Sequence, residues 1–289
     1  MQLWSKEVEK KFFEDSFKFA SPEQLFYFSD DKRYLAYWPK NYEGAKSTLQ
    51  SRNSLIGKFT EKWTADLIRE TISDKKLFAV QGAKCEELAL TDMSPADVVI
   101  SRNKKIEQKP EDILAIFEVK MSIVWNWELK KKNLTCLGDY STHTGNPGLL
   151  RSDSMLKGIG KSINIRVSSF KASRIPIIII GNTPITQSYY EKVDHLKTAG
   201  IVQGFWSVNP SPLDDNGENI KRTKKGGFNR LDKFEELKET INSLLSTEMN
   251  FFSSMKSKKE LGQIIELSNK ESSYEKKAEK FLELIKETK

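Results

Sequence analysis

Residues 175–183, IPIIIIGNT, form the most hydrophobic segment of the chain. The run is apolar throughout rather than alternating, the pattern of a strand covered on both faces. A strand of that kind needs helices on either side. The sequence offers them in SDSMLKGIGKSINIRVSSF, with Ser152 or Asp153 as cap, and in QSYYEKVDHLKTAG, ended by Gly200. Another strand pattern, VQGFWSV at 202–208, follows. The alternation predicts an α/β fold, a mixed sheet covered by helices.

Upstream, residues 47–73 read as a long helix with Ile56, Phe59, Trp63 and Leu67 on one stripe. Glu61 lies off that stripe, on a face shared with Ile68 and Ile72. There it is either a carboxylate at the edge of the core or an ordinary solvated helix acid. Strands are predicted at 76–82, 96–101 and 113–125, the last two joined by the charged linker RNKKIEQKPED. At the N-terminus, 5–19 reads as an amphipathic helix and SPEQ at 21–24 as the start of another, before a loop at 29–44 in which YLAYW has strand character. Residues 133–152 and 209–229 read as long loops, and helices finish the chain. In the last helix Tyr274, Ala278, Phe281 and Ile285 form an apolar stripe. The expected division is an N-terminal helical extension (1–44), a core (45–208), and a loop with C-terminal helices packed on that core (209–289).

Lys and Arg outnumber Asp and Glu by 47 to 40, a net charge of +7 that suits a polyanionic partner. No apolar run approaches the roughly 20 residues that span a bilayer. The first fifteen residues carry acids where a signal peptide has its apolar stretch, so no membrane association and a cytoplasmic location are expected. Cys85 and Cys136 lack ligand spacing, and His143 and His195 are the only histidines. Catalysis, if present, rests on carboxylates, lysines and metal.

The charges that stand out lie between Pro95 and Met121, in PADVVI and LAIFEVKM. With strand alternation, Glu118 and Lys120 share a face, opposite Phe117, Val119, Met121 and Ile123; Asp97 shares its face with Val99. Two carboxylates and an ammonium inside apolar strands are costly to bury alone. A divalent cation held by Asp97 and Glu118, with Lys120 beside it, resolves that cost. An internal salt-bridged cluster is the structural alternative.

Pro95-Ala96-Asp97 followed by Glu118-Val119-Lys120, behind a helix carrying Glu61, resembles the PD-(D/E)xK nuclease superfamily over roughly residues 50–210. Within it, the added helices and long loops look most like a type II restriction endonuclease. The resemblance implies a restriction-endonuclease-like mixed sheet flanked by helices, with additional N- and C-terminal helices. It also implies Mg2+ held by Asp97, Glu118 and the Val119 carbonyl, and Glu61 as the helix acid near the metal. Mg2+ favours oxygen ligands and acts as a Lewis acid that lowers the pKa of a bound water. Lys120 is placed to orient that water and offset developing charge.

The implied partner is double-stranded DNA, cut by a homodimer because a palindrome presents two related strands. Candidate DNA contacts are Lys157 and Lys161 on the following helix, Arg151 and Asn146 by donor chemistry, and the basic run with Arg222, Lys224 and Lys225. The stretches Lys130–Lys132 and Thr142–Ser154 are further candidates, though a charge run is also an ordinary solvated surface. A structure-specific repair or recombination nuclease of the same fold and a catalytically silent nucleic-acid-binding module are the competing readings.

Overall fold

The computed structural model describes residues 2–44, 46, 49–131, 133–214, 219–246 and 256–287. In chain order the elements are α1 (Lys6–Ser16), α2 (Pro22–Leu25), β1 (Tyr27–Phe28), β2 (Tyr34–Leu35), α3 (Gln50–Thr71), β3 (Phe78–Ala83), β4 (Ala96–Ser101) and β5 (Ile113–Lys120). There follow β6 (Asn126–Lys130), β7 (Asn133–Gly138), α4 (Ser152–Ser168), β8 (Ile177–Gly181), α5 (Tyr190–Thr198), β9 (Gly204–Ser207), β10 (Phe228–Arg230), α6 (Phe234–Ser246), α7 (Lys258–Ser268) and α8 (Tyr274–Glu287).

Six strands form a mixed sheet in the order β10-β9-β8-β5-β4-β3. β10, β9, β8 and β5 are parallel, β4 is antiparallel to β5, and the edge strand β3 is antiparallel to β4, so β4 alone runs against the rest. The polyisoleucine strand takes the covered place its composition demands. Ile178 and Ile180 join the core formed with α1, α3 and α6, where Phe12, Trp63, Leu67 and Leu237 are buried. Ile177 and Ile179 join the core on the other face, with Met155 and Ile165 of α4 and Val193 of α5. Among the described residues no helix is long and apolar enough to cross a membrane.

A second, antiparallel sheet has the order β1-β2-β6-β7. It changes the expected division of the chain. Residues 1–44 are not a purely helical extension, because Tyr34 and Leu35 pair with Leu129 and Glu128 of β6. Nor are 133–152 a loop throughout: β7 pairs with β6 across a turn at Lys131, which has a left-handed φ of 47°. The 209–229 stretch likewise ends in a strand, β10, at the sheet edge. In α8, Ile285 is buried as expected, whereas Tyr274 is exposed with Lys277 over its ring.

The predicted strand at 113–125 ends at Lys120 for a physical reason. Beyond it the backbone polar groups bond to side chains from four distant parts of the chain. Ser122 donates to Asn182 Oδ1 (3.2 Å) and its carbonyl accepts from Asn182 Nδ2 (2.7 Å). The Ile123 carbonyl accepts from the Tyr37 hydroxyl (2.7 Å) and the Val124 carbonyl lies 3.1 Å from His143 Nε2. The amides of Val124 and Trp125 donate to Glu9 of α1, at 2.8 and 3.0 Å. Glu9 also accepts from the indoles of Trp127 (2.9 Å) and Trp4 (3.3 Å). Burial pushes the Glu9 carboxyl up to about 7, against these N–H donors, which favour its charged form.

Two stability predictions follow from this network. Glu9→Gln sets an NH2 group against two of the four donors and is expected to cost about 2 kcal/mol or more in denaturant unfolding; a loss below about 0.5 kcal/mol contradicts the assignment. His143, whose Nδ1 accepts from the Gly145 amide at 3.1 Å, carries its proton on Nε2, and burial holds its pKa down at about 4. The unfolded chain then binds the extra proton between its own pKa, about 6.5, and pH 4. His143 therefore stabilises fully above about pH 6.5 and progressively less as pH falls towards 4. Unfolding of wild type and His143→Asn across that range should show a difference that shrinks on acidification.

Candidate active site

β4 and β5 bring Asp97 and Glu118 together. Their pairing sets Val98 opposite Phe117, so the next step places Asp97 opposite Glu118. Asp97 ends the regular ladder by accepting from the Val119 amide at 2.7 Å through Oδ2. On the edge strand beside it, Gln81 pairs with Val98 and Ala83 with Ala96, leaving Gly82 between paired positions. Gly82 has φ +66° with open space where a Cβ would stand, so its backbone conformation is what calls for glycine.

Two ammonium groups converge on the carboxylates. Lys120 Nζ lies 2.5 Å from Glu118 Oε1, 3.2 Å from the Val119 carbonyl and 3.8 Å from Asp97 Oδ2. Lys161 Nζ, from α4, lies 2.7 Å from Glu118 Oε2, 3.3 Å from Asp97 Oδ1 and 2.7 Å from the Pro95 carbonyl. The helix comes near enough because Gly158 packs on β8, where an added Cβ would sit 3.1 Å from Ile179 Cδ1. Lys161 follows one turn later.

Sequence spacing placed Lys157 and Lys161 together; the fold separates them. The Lys161 side chain is 17% exposed and inside the cluster, while that of Lys157 is 70% exposed and pairs with Asp153. Glu61 comes near the cluster without entering it. It is half-buried, accepts from Gln81 Nε2 at 3.3 Å, and shifts upward first through burial and then through the Asp97 charge. Gln81 carries no sequence signal that marks it as part of the site.

Burial and then Asp97 also raise the Glu118 pKa, with Lys120 and Lys161 pulling the other way. Burial works against the Lys161 charge, but Asp97 and Glu118 outweigh it and raise its pKa. Asp97 and Glu118 are matched by Lys120 and Lys161 in direct ion pairs, and Glu61 stands beside them as a further carboxylate.

This group fits a divalent cation through two carboxylates rather than three. Among the described residues, no three His, Cys, Asp or Glu side chains converge at metal-binding distance, so Glu61 is not a direct ligand here. Asp97 and Glu118 remain, with the Val119 carbonyl turned toward Lys120. Glu118 Oε2 is buried and has no aligned hydrogen-bond donor, only the Lys161 charge. Mg2+ is commonly bound by one or two carboxylates plus water and substrate phosphate. The residues present satisfy that.

Of the remaining candidates, Arg151 and Asn146 are exposed near the Lys120 end of the sheet. The short turn between them is held by Leu149, whose amide donates to Thr183 Oγ1 at 2.8 Å just after β8. Arg151 pairs with Asp153. Arg222, Lys224 and Lys225 are not brought to the carboxylates. They precede β10, whose Arg230 aligns with Ser207, Gly181 and Lys120 across three strand spacings, roughly 14 Å. Lys224 and Lys225 lie at the opposite end of those strands, where Asp194 holds their loop by accepting from Thr223 Oγ1 and the amides of Lys225 and Gly227. Lys130 and Lys131 occupy the β6–β7 turn, and Lys132 lies outside the described residues.

Comparison with protein-family models, curated proteins and solved structures finds no match. The site therefore speaks only through its own residues. Because the Asp97 charge raises the Glu61 pKa, Asp97→Asn is expected to lower it, as read by carbon-detected NMR titration of the carboxyl groups. An unchanged Glu61 titration would separate that acid from the cluster.

Proposed function

We propose that this chain is a Mg2+-dependent endonuclease that hydrolyses phosphodiester bonds of double-stranded DNA, of the type II restriction kind. The observation that carries the reading is the meeting of Asp97 and Glu118 at adjacent strand ends, with Lys120 on the same carboxylate. The surrounding order supports it: Asp97 lies on β4, Glu118-Val119-Lys120 closes β5, and α4, β8 and α5 follow.

When bound, Mg2+ supplies Lewis acidity toward a phosphate oxygen and a water of lowered pKa. Asp97 and Glu118 bind the cation, their separation set by the β4–β5 register and the Val119 amide. The Val119 carbonyl, which now accepts from Lys120 at 3.2 Å, would be a third oxygen for the cation. Lys120, anchored through Glu118 Oε1, holds the attacking water's orientation and offsets charge on the phosphate. Glu61, which accepts from Gln81, would act on the cation through water. Arg151, Asn146 and Lys157 contact DNA at the Lys120 end of the sheet. A homodimer supplies the second site for the second strand.

Incubation of the purified protein with plasmid and Mg2+ is expected to give discrete fragments. A smear, or cutting confined to branched DNA, would instead indicate a structure-specific repair nuclease, and no cutting with any divalent ion a silent binding module. Asp97→Ala and Lys120→Ala should each slow cleavage roughly a hundredfold or more while DNA retention in mobility-shift assays stays close to wild type. Cleavage by either variant at the wild-type rate would refute the site assignment.

A further inference from the structure

We propose that Lys161 is a second catalytic lysine: its ammonium stands between Asp97 and Glu118 in the position a divalent cation takes, and cation binding moves it onto the scissile phosphate. The proposal rests on the phosphodiester-hydrolysis reading and adds a residue and a conformational step to it.

Geometry distinguishes the two lysines. Lys120 binds mainly one carboxylate, with Glu118 Oε1 at 2.5 Å and Asp97 Oδ2 only at 3.8 Å. Lys161 spans both, at 2.7 Å from Glu118 Oε2 and 3.3 Å from Asp97 Oδ1. It is the ammonium that bridges the two oxygens facing a shared cation. An ammonium and a dication cannot both sit there, because their repulsion is strong in a buried site. Lys120 leaves the space between Glu118 Oε2 and Asp97 Oδ1 clear, since its contacts are to the other oxygens, Glu118 Oε1 and Asp97 Oδ2.

The contacts Lys161 would give up are its ion pairs with Glu118 Oε2 and Asp97 Oδ1. Glu118 Oε2 has no aligned hydrogen-bond donor, so Lys161 is held there by charge, while its hydrogen bonds go to the Pro95 carbonyl at 2.7 Å and to Asp97 Oδ1 at 3.3 Å. Four rotatable methylenes allow the ammonium to swing without moving α4. Its new partner is the substrate. As the water oxygen–phosphorus bond forms and the phosphorus–oxygen bond to the leaving sugar breaks, charge accumulates on the non-bridging oxygens. Lys161 balances that charge. The water's proton passes to solvent, and the leaving oxygen takes a proton from a solvent water. The result is a site whose resting form is neutralised by its own lysine and which is armed only when cation and phosphate arrive together.

The test is Mn2+ binding to the full-length protein without DNA, followed by electron paramagnetic resonance of free Mn2+, alongside plasmid cleavage at saturating Mn2+. Lys161→Met is expected to bind Mn2+ roughly tenfold tighter than wild type and to cleave roughly a hundredfold more slowly. Lys161→Gln, which keeps a polar donor without the charge, should behave alike and serves if the methionine variant does not fold. Lys258→Met, which removes a charge from α7, should leave Mn2+ affinity unchanged. Equal or weaker Mn2+ binding by the Lys161 variants, or undiminished cleavage, overturns the proposal. Failure of the hydrolysis reading looks different: tighter Mn2+ binding by the variants with no cleavage by wild type supports the shared position and removes the nuclease. Absence of Mn2+ binding by every form overturns both.

Discussion

The backbone of residues 122–125 leaves the central strand with its polar groups buried, and the rest of the molecule is arranged to satisfy them. Buried amides and carbonyls without partners are strongly disfavoured. Here Glu9 comes from the first helix, Tyr37 from the segment after β2, His143 from the stretch after β7, and Asn182 from the end of β8. One short segment thus joins the N-terminal helix, the small sheet and the large sheet. It begins immediately after Lys120. The anchoring of the chain beyond β5 and the position of Lys120 therefore share a cause.

Electrostatics gives the candidate site a different character from that network. At Glu9, burial raises the carboxyl pKa and four N–H donors oppose it. In the cluster of Asp97, Glu118, Lys120 and Lys161, with Glu61 beside it, burial and then the charge of a neighbouring carboxylate, Asp97, raise the Glu118 and Glu61 pKa values. Residues selected only for packing have little reason to form such a group of close charges, since apolar replacements of buried ion clusters often serve stability as well or better. The proposed dication and phosphate would give those charges a function.

Much of this was legible in the chain. The unbroken apolar run of β8 pointed to a doubly covered strand, and β4 coincides with its predicted limits because ADVVIS is bounded by Pro95 and a charged linker. Alternation put Glu118 and Lys120 on one face, where they are found. What failed depended on long-range contacts. The end of β5 is set by side chains as far away as Glu9, which no local pattern encodes. β7 escaped notice because its turn uses Lys131 at positive φ rather than glycine or asparagine. Lys161 could not be told from Lys157 until the close packing of Gly158 on Ile179 decided which of them reaches the carboxylates. Arg222, Lys224 and Lys225 read as part of a DNA surface by charge alone, while the strand order sets them apart from the site.

The central claim is that Asp97 and Glu118 share a divalent cation. Anomalous diffraction from crystals soaked in Mn2+ addresses it most directly. The account predicts a single dominant Mn2+ peak bound by one oxygen each of Asp97 and Glu118, with Lys161 withdrawn from between them. Mn2+ peaks confined to other surfaces, with Lys161 still bridging the two carboxylates, would contradict it.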